Sequence, residues 1–325
     1  MIAVVMAVAL ALPRLPHISP PRLPSIPLPS PSRLLDAIPD SIRPHRHEWA
    51  EREWEESHDP HGEPLAKVEY RQVGPYVLVP VRLNEEGPYW FALDSGASRS
   101  VIDARLLRPA KLGVRNTAAI SPHGALVRRL WAVNLEVAGS PVFAPEPVAL
   151  DFAKTRYPKG VQGLIGRELF QAYVVRIDPD RRTVALYQPS MYRPGQTPAV
   201  ELTARDGGFY APVMVTAKAG APVEKPARLE TAWPEELTDE AVRQGSGVKR
   251  GLVGARAAEP YWGQVGQVRA LQMGPHTLYN VWGATGETRV GAGWLNRFIV
   301  TFDAPHGRLY LEPTSRTYVP SAPAA

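Results

Sequence analysis

The stretch that decides the fold runs from Trp90 to Asp103 and reads WFALDSGASRSVID. Its apolar start predicts a buried strand, and this strand leads directly into Asp94. Burying a carboxylate costs several kcal/mol unless the group is hydrogen-bonded or shares a proton. The hydroxyl of Ser95 can brace the turn, and Gly96 lets neighbouring backbone approach closely. The stretch therefore predicts either a turn aspartate after a strand or an Asp94 that lies in a cleft and handles protons.

A second apolar motif follows at residues 163–166, which read GLIG. Glycine in a strand marks the close approach of another backbone. After this motif the sequence predicts a strand, a turn at Pro179 and Asp180, and a second strand that ends at Tyr187. Upstream, the turn sequence NEEG at residues 84–87 predicts a hairpin whose second strand delivers Asp94.

The segment that begins at the end of the GLIG motif and contains the strand, turn and strand occurs twice in the chain. When Gly166 is placed against Gly291 and the alignment continues without gaps, the apolar and turn positions coincide. The matched pairs include Phe170 with Leu295, Gln171 with Asn296, Tyr173 with Phe298, Val174 with Ile299, Asp178 with Asp303 and Leu186 with Leu311. A repeat of this length indicates a duplicated domain rather than a solenoid.

The second copy carries a different acid at the position of Asp94. Residues 211–215 (APVMV) resemble residues 79–83 (VPVRL), and the loop expected after them reads LETA at residues 229–232, where the first copy has LDSG. Glu230 therefore takes the place of the aspartate, Thr231 takes the place of the serine, and Ala232 takes the place of the glycine.

The DSGA loop at residues 94–97, the GLIG motif and the strand-turn-strand ending together resemble the retropepsin-like aspartic proteases. The resemblance implies an all-β, bilobal acid-protease fold made of two tandem retropepsin-like lobes. The first lobe is expected at residues 67–190 and the second, degenerate one at residues 201–315, with a linker at residues 191–200. Asp94 would be the catalytic carboxylate. The implied supports of the active-site loop are Ser95, Gly96, Ala97 and Thr231, and the residues packed behind it are Leu164, Ile165 and Gly166.

Catalysis in the resembled family needs two carboxylates that share one proton. The ionised carboxylate activates a water molecule, and the protonated one hydrogen-bonds the carbonyl oxygen of the substrate. No metal and no organic cofactor is implied, because the nucleophile is water. The implied substrate is an extended polypeptide that lies across the cleft between the lobes, and the implied activity is that of an aspartic endopeptidase.

Three interpretations of Glu230 follow. It can serve as the second carboxylate, although it is one methylene longer than aspartate and an error of about 1 Å can cost roughly a hundredfold in rate. Alternatively, the Asp94 lobes of two chains pair as a homodimer, which is not favoured because the second lobe would have to leave that face. In the third interpretation the protein is a pseudoprotease that binds a peptide or a protein partner. Separately, residues Pro234 to Leu237 look like a helix start, which would make Glu230 a surface acid.

The composition excludes several other functions. With no cysteine, the chain has no thiol catalysis, no disulfide and no cysteine-based zinc site. The net charge of +5 is mild, and no dense basic block is interleaved with aromatic residues, so nucleic-acid binding is not expected. The histidines with metal-like spacing lie in a charged segment without a predicted fixed geometry, so no metal site is expected; they are His45, His47, His58 and His61.

The ends of the chain predict where the protein acts. Residues 1–12 are predicted to be an apolar export signal or membrane anchor, or only a hydrophobic tail. The apolar run has the length of the apolar part of a signal peptide and is shorter than the about 20 residues that a helix needs to span a bilayer. Residues 13–44 are predicted to be a proline-rich linker, residues 45–66 an acidic helical or disordered segment, and residues 316–325 a tail. An exported (periplasmic or extracellular) or membrane-tethered protein is expected, although the lack of cysteine also fits the cytoplasm. A weaker alternative is a tethered module that binds partners through its proline-rich segment.

Two segments occupy the positions of hairpins over the cleft. They are residues 121–125 (SPHGA) in the first lobe and the glycine-rich residues 245–266 in the second. Tyr261 and Trp262 lie in the second segment, where they can either line a substrate cleft or cap the edge of the core.

Overall fold

The computed structural model describes residues 61–120, 126–131, 133–155, 157–254 and 261–315. Within these ranges the chain is almost entirely β-structure with two short α-helices, which confirms the predicted all-β class. No helix in the same ranges is long and apolar enough to cross a membrane. The predictions for residues 1–12, 13–44 and 316–325, and for most of the acidic segment, lie outside the described residues. So do three of the four spaced histidines, which are His45, His47 and His58.

The strands of the described part of the chain are β1 (Ala66–Glu69), β2 (Arg71–Val73), β3 (Tyr76–Leu83), β4 (Glu86–Leu93), β5 (Val101–Asp103), β6 (Gly113–Ile120), β7 (Leu126–Trp131), β8 (Leu135–Val137), β9 (Ser140–Val142), β10 (Val148–Leu150), β11 (Gly163–Ile165), β12 (Val174–Asp178), β13 (Thr183–Tyr187), β14 (Val200–Glu201), β15 (Thr203–Arg205), β16 (Gly208–Thr216), β17 (Val223–Glu230), β18 (Leu237–Thr238), β19 (Ser246–Val253), β20 (Tyr261–Met273), β21 (His276–Ala284), β22 (Arg289–Gly291), β23 (Phe298–Asp303) and β24 (Arg308–Pro313). The helices are α1 (Arg167–Ala172) and α2 (Ala292–Leu295).

One large sheet forms most of the first lobe, and its central strand leads to Asp94. The strand order is β6-β7-β10-β5-β11-β4-β3-β8-β9, and β2 also pairs with β3. Strands β3 and β4 form the predicted hairpin, and its turn residues Asn84 and Glu85 have positive φ angles of 48° and 72°. Such angles are those of a tight two-residue hairpin turn. Strand β11 lies parallel to β4, with Ile165 opposite Leu93.

A second sheet, β15-β16-β17-β22-β18-β21-β20-β19, repeats this arrangement in the second lobe. Strands β16 and β17 pair with Pro212 opposite Pro226, as Pro80 is opposite Trp90 in the first lobe. Strand β22 lies parallel to β17, with Gly291 opposite the last residue of β17. This pairing confirms the predicted correspondence between residues 79–83 and 211–215.

A six-stranded sheet with the order β1-β13-β12-β23-β24-β14 joins the two lobes. At its centre β12 and β23 run antiparallel, and Arg176 lies opposite Thr301. These two residues are equivalent in the predicted repeat, because they are separated by the same 125 residues as Gly166 and Gly291. An approximate two-fold axis therefore passes between them, and the repeat in the sequence is a symmetry of this sheet.

Three buried aromatic rings hold the lobes together beneath this sheet. Phe302 of β23 lies 5.0 Å, between ring centroids, from Phe170 of α1 and 6.3 Å from Phe209 of β16. Phe170 and Phe209 are 6.0 Å apart and meet edge to face. Aromatic pairs at these distances contribute about 0.5–1.5 kcal/mol each beyond the area they bury. Because the rings come from both lobes and belong to one continuous buried cluster, the two lobes share a core.

The prediction of a helix start at Pro234 to Leu237 is wrong. Leu237 and Thr238 form the short strand β18, which is parallel to β21 and antiparallel to β22. Leu237 is fully buried between these neighbours. Pairing with two strands outweighs the local helix signal, because propensity is a weak preference that tertiary contacts override.

Both segments expected over the cleft belong to hairpins. In the first lobe Ile120 pairs with Leu126, and the connecting residues 121–125 lie outside the described residues. In the second lobe Val253 pairs with Tyr261. The side chain of Trp262 is 64% exposed, so it does not cap the edge of a core. The hydroxyl of Tyr261 donates a hydrogen bond to the backbone oxygen of Thr285.

Candidate active site

Asp94 begins the loop after β4, and the loop backbone holds its carboxylate. Its Oδ1 accepts hydrogen bonds from the backbone N–H of Gly96 (3.0 Å) and of Ala97 (3.1 Å). Its own N–H donates to the carbonyl oxygen of Ile165 in β11 (2.9 Å). The residue is partly exposed. The loop therefore fixes one carboxylate oxygen and leaves the side chain partly accessible.

Four reciprocal hydrogen bonds join this loop to the matching loop of the second lobe. Ser95 Oγ donates to the carbonyl oxygen of Leu229 (2.8 Å), and Thr231 Oγ1 donates to that of Leu93 (2.8 Å). The N–H of Ser95 donates to Thr231 Oγ1 (3.0 Å), and the N–H of Thr231 donates to Ser95 Oγ (3.1 Å). We call this exchange the Ser95–Thr231 clasp. Because it is symmetric, it places the two acidic residues at equivalent positions on either side of the lobe interface.

Glu230 ends β17, and its side chain lies inside the interface rather than on the surface. The residue is 8% exposed, so the interpretation of Glu230 as a surface acid is wrong. Its Oε1 lies 3.2 Å from Nε of Arg228 and 3.4 Å from Nη1 of Arg289. On the opposite side it contacts Gly96 so closely that a Cβ there would lie 2.7 Å from Glu230 Cγ. The longer acid is therefore accommodated against the glycine of the first lobe.

The charge of Glu230 affects the protonation of Asp94. Burial, together with the nearby charge of Glu230, raises the pKa of Asp94 to about 7, although the Gly96 and Ala97 amides favour the ionised form. Burial also raises the pKa of Glu230, while Arg289 and Arg228 act in the opposite direction. Carboxyl groups that interact in this way titrate as a pair. With its pKa at about 7, Asp94 can hold a proton around neutral pH, as acid–base catalysis by two carboxylates requires of one member.

The GLIG motif lies directly behind the Asp94 loop. Leu164 and Ile165 are buried in β11. The N–H of Gly166 donates to Ser100 Oγ (3.1 Å), and a Cβ on this glycine would lie 2.5 Å from the carbonyl carbon of Arg99. Only a residue without a side chain fits this approach of two backbones.

Ala232, which replaces the glycine of the second loop, has room for its methyl group. It lies in a buried apolar cluster with Ala92 and Leu164 of the first lobe. Gly96, its counterpart, faces the Glu230 side chain instead. The interface is therefore asymmetric, with apolar side chains on the Asp94 side and an ionic group on the Glu230 side.

Sequence reasoning missed Arg228 and Arg289. In the repeat, Arg228 occupies the position of Ala92, and Arg289 occupies the position of Leu164. The alignment of the two copies contained a signal for these residues, because it places two arginines at positions that are apolar in the first lobe. Residues two apart in a strand lie on the same face, which puts Arg228 beside Glu230.

These arginines also contact neighbouring groups. Arg228 Nη2 donates to the carbonyl oxygen of Gly96 (2.5 Å), so it bridges the lobes. Arg289 Nη2 donates to Glu287 Oε2 (2.8 Å), and its guanidinium carbon lies 5.5 Å from the ring centroid of Trp233. The site is therefore a small charged network around Glu230.

The described residues contain no group of three or more His, Asp or Glu side chains arranged to hold a metal ion. His61 is buried, and its ring stacks on Tyr192 with centroids 5.6 Å apart. Its Nδ1 lies 3.1 Å from the carbonyl oxygen of Arg193. The role of this histidine is therefore to pack and hydrogen-bond at the edge of the first lobe.

We expect Gly96→Ala to destabilise the fold by about 1–3 kcal/mol, because the new methyl group overlaps the Glu230 side chain. The same substitution in a Glu230→Asp background should cost less, since the shorter acid frees that space. Urea denaturation of the four proteins measures both effects. Gly195→Ala is the matched control, because its Cβ would make only an ordinary contact at 3.4 Å. Equal costs in both backgrounds would contradict the contact.

Comparison with known proteins agrees with this architecture. The structure is similar to the crystal structure of an aspartic proteinase from Irpex lacteus, with a TM-score of 0.51 and 12% sequence identity, over 78% of this chain and 98% of that chain. It also matches basic 7S globulin from soybean with a TM-score of 0.44 and 12% identity, over 79% of this chain and 96% of that chain. No family model matches the chain, and no curated protein matches it.

The comparison defines the class of fold. The chain has the all-β, bilobal fold of an aspartic proteinase, which confirms the predicted architecture. The finer resemblance of each lobe to retropepsins stays a prediction.

Proposed function

We propose that the protein is an aspartic-type endopeptidase that uses Asp94 and Glu230 as a mixed pair of carboxylates. The Ser95–Thr231 clasp carries this proposal, because it gives the two acids equivalent positions across the interface. The contact between Glu230 and Gly96 supports it further, since the longer side chain reaches toward the opposite loop.

The proposed reaction needs one ionised and one protonated carboxyl group. The ionised group takes a proton from water as the water oxygen bonds to the peptide carbonyl carbon, and the protonated group gives its proton to the carbonyl oxygen. In the second step the amide nitrogen takes the first proton as the C–N bond breaks. The diol returns the other proton, which restores both carboxyl groups. Water is the nucleophile throughout, and the substrate is an extended polypeptide in the cleft.

The proposal extends to where the protein acts. The apolar residues 1–12 and the proline-rich residues 13–44 support export or tethering to a membrane. A polypeptide substrate outside the cytoplasm fits this location.

A second candidate function is peptide binding without cleavage. The observation that favours it is the pairing of Glu230 with Arg228 and Arg289, which makes its carboxylate a weaker base. In that case the cleft would hold a peptide or a protein partner while no bond is broken.

The pH profile of peptide cleavage tests the proposal. With the pKa of Asp94 at about 7, the proton of the pair is present below this value and is lost above it. We therefore expect cleavage of a broad peptide library, followed by mass spectrometry, to fall by about tenfold per pH unit above pH 7. No cleavage at any pH, with peptide binding retained in a calorimetric assay, would support the second candidate instead.

A further inference from the structure

Within the described part of the chain, the ion pairs of Glu230 have no counterpart around Asp94, although the two positions are related by the repeat. Asp94 has Ala92 two residues before it and Leu164 on the neighbouring strand, and both are buried and apolar. At the equivalent places Glu230 has Arg228 and Arg289. The two carboxyl groups of the pair therefore stand in different electrostatic surroundings.

Among the described residues, charged groups from both lobes act on Glu230. Arg228 is on the same strand, β17, and Arg289 is on the parallel strand β22. Burial raises the pKa of Glu230 most strongly, and the charge of Glu287, just before β22, acts in the same direction. Glu287 is itself paired with Arg289. Asp94, in the first lobe, lies close enough for the charge of Glu230 to raise its pKa, after burial as the larger cause. Tyr261 of β20 also lies near Arg289; it is neutral near pH 7, and burial raises its pKa further.

We propose that Arg228 and Arg289 are positioning residues that keep the negative charge of the pair on Glu230 and leave the shared proton on Asp94. The proposal rests on the proposed endopeptidase function for its chemical meaning, but the charge distribution itself does not depend on turnover.

The positions of the arginines determine which of the two carboxyl groups keeps the proton. A guanidinium group about 3–4 Å from a carboxylate stabilises the ionised form, and two such groups reinforce each other. Glu230 has both arginines at 3.2 Å and 3.4 Å. In the described part of the chain Asp94 has two neutral backbone donors at its Oδ1 and no ion pair, although the nearby charge of Arg228 also lowers its pKa. The proton therefore goes to Asp94.

This assignment gives each acid one role in the proposed reaction. Glu230 takes the proton from the attacking water, and Asp94 protonates the carbonyl oxygen. After attack, Glu230 gives its proton to the leaving nitrogen, and Asp94 recovers one from the diol. In a symmetric pair either acid could begin the reaction ionised or protonated. Here the arginines of the second lobe determine which acid begins ionised.

Titration of the side-chain carbons tests the proposal without any substrate. The full chain is labelled with ¹³C at the Asp and Glu carboxyl groups, and the two signals are identified by their loss in Asp94→Asn and Glu230→Gln. In the wild type we expect Glu230 to lose its proton at a lower pH than Asp94. Arg289→Met should raise the pKa of Glu230 by about 1–3 and lower that of Asp94, because the proton then shifts toward the glutamate.

Two further variants separate charge from structure. Arg289→Lys keeps the charge and should keep the wild-type order of titration. Arg243→Met removes an exposed arginine that contacts Glu240 and Gln264, and it should leave both titrations unchanged. If Arg289→Met does not fold, the order in which Glu230 and Asp94 titrate in the wild type and in Arg289→Lys still tests the proposal.

The proposal is overturned if Asp94 loses its proton first in the wild type, or if Arg289→Met acts no differently from Arg243→Met. The expected titration order together with a complete lack of peptide cleavage would instead refute the endopeptidase function and leave the charge assignment intact. The two failures are therefore distinguishable.

Discussion

Asp94→Asn should lower kcat/KM for peptide cleavage by about a hundredfold to ten-thousandfold, because asparagine cannot give or take the proton that the reaction needs. Asparagine has the same shape, and its Oδ1 can still accept the hydrogen bonds from Gly96 and Ala97. The loop should therefore keep its conformation. The measurement is the initial rate of cleavage of the best peptide from the library, at pH 5 and at pH 7.

The stability of the same variant separates lost chemistry from lost structure. The pKa of Asp94 is raised in the folded state, so the proton binds more tightly there than in the unfolded chain. Such a group stabilises the fold at low pH and loses this contribution as the pH rises from about 4 to about 7. Asparagine never ionises, so at pH 8 we expect Asp94→Asn to unfold at the same temperature as the wild type or higher.

The matched control is Asp206→Asn, which changes an exposed turn aspartate with a positive φ angle that asparagine also tolerates. It should leave cleavage unchanged. Cleavage that persists at the wild-type rate in Asp94→Asn would contradict the role of this residue. A loss in Asp94→Asn with full activity in Glu230→Gln would place the second carboxyl group elsewhere.

Phe302→Ala should lower the free energy of unfolding by about 3–5 kcal/mol, because it leaves a cavity where the two lobes meet. Phe302 is fully buried and contacts Phe170 and Phe209, one from each lobe. The surrounding rings are held by the sheet and the helix and have little freedom to fill the space. Equilibrium denaturation in urea, followed by tryptophan fluorescence, measures the loss.

Phe143→Ala is the control for this substitution, because that side chain is 84% exposed, and we expect a change within about 0.5 kcal/mol. The shape of the transition gives a second readout. Because the lobes share a core, the wild type should unfold in one step. Weakening the shared cluster should broaden the unfolding curve or divide it into separate transitions of the two lobes. A cost below about 1 kcal/mol would contradict the close packing of these rings.

The local patterns of the chain predicted the strands around Asp94 and the duplicated ending well. The hairpin at residues 84–87 and the alignment of Gly166 with Gly291 depend on turn residues and on alternation of apolar residues, which act over short distances. The helix start at Pro234 failed because the segment lies between two strands that are far away in the sequence. Local sequence patterns carry no information about strands that are distant in the sequence.

The sequence by itself determined that the chain makes two related β-lobes and that an acid stands at the same place in each. The tertiary structure alone decided what surrounds these acids. Ser95 and Thr231 are 136 residues apart and meet only when the lobes dock. The same docking buries Glu230 against Gly96, beside Arg228 and Arg289. Protonation depends on burial and on the distance between charges, and the three-dimensional fold sets both.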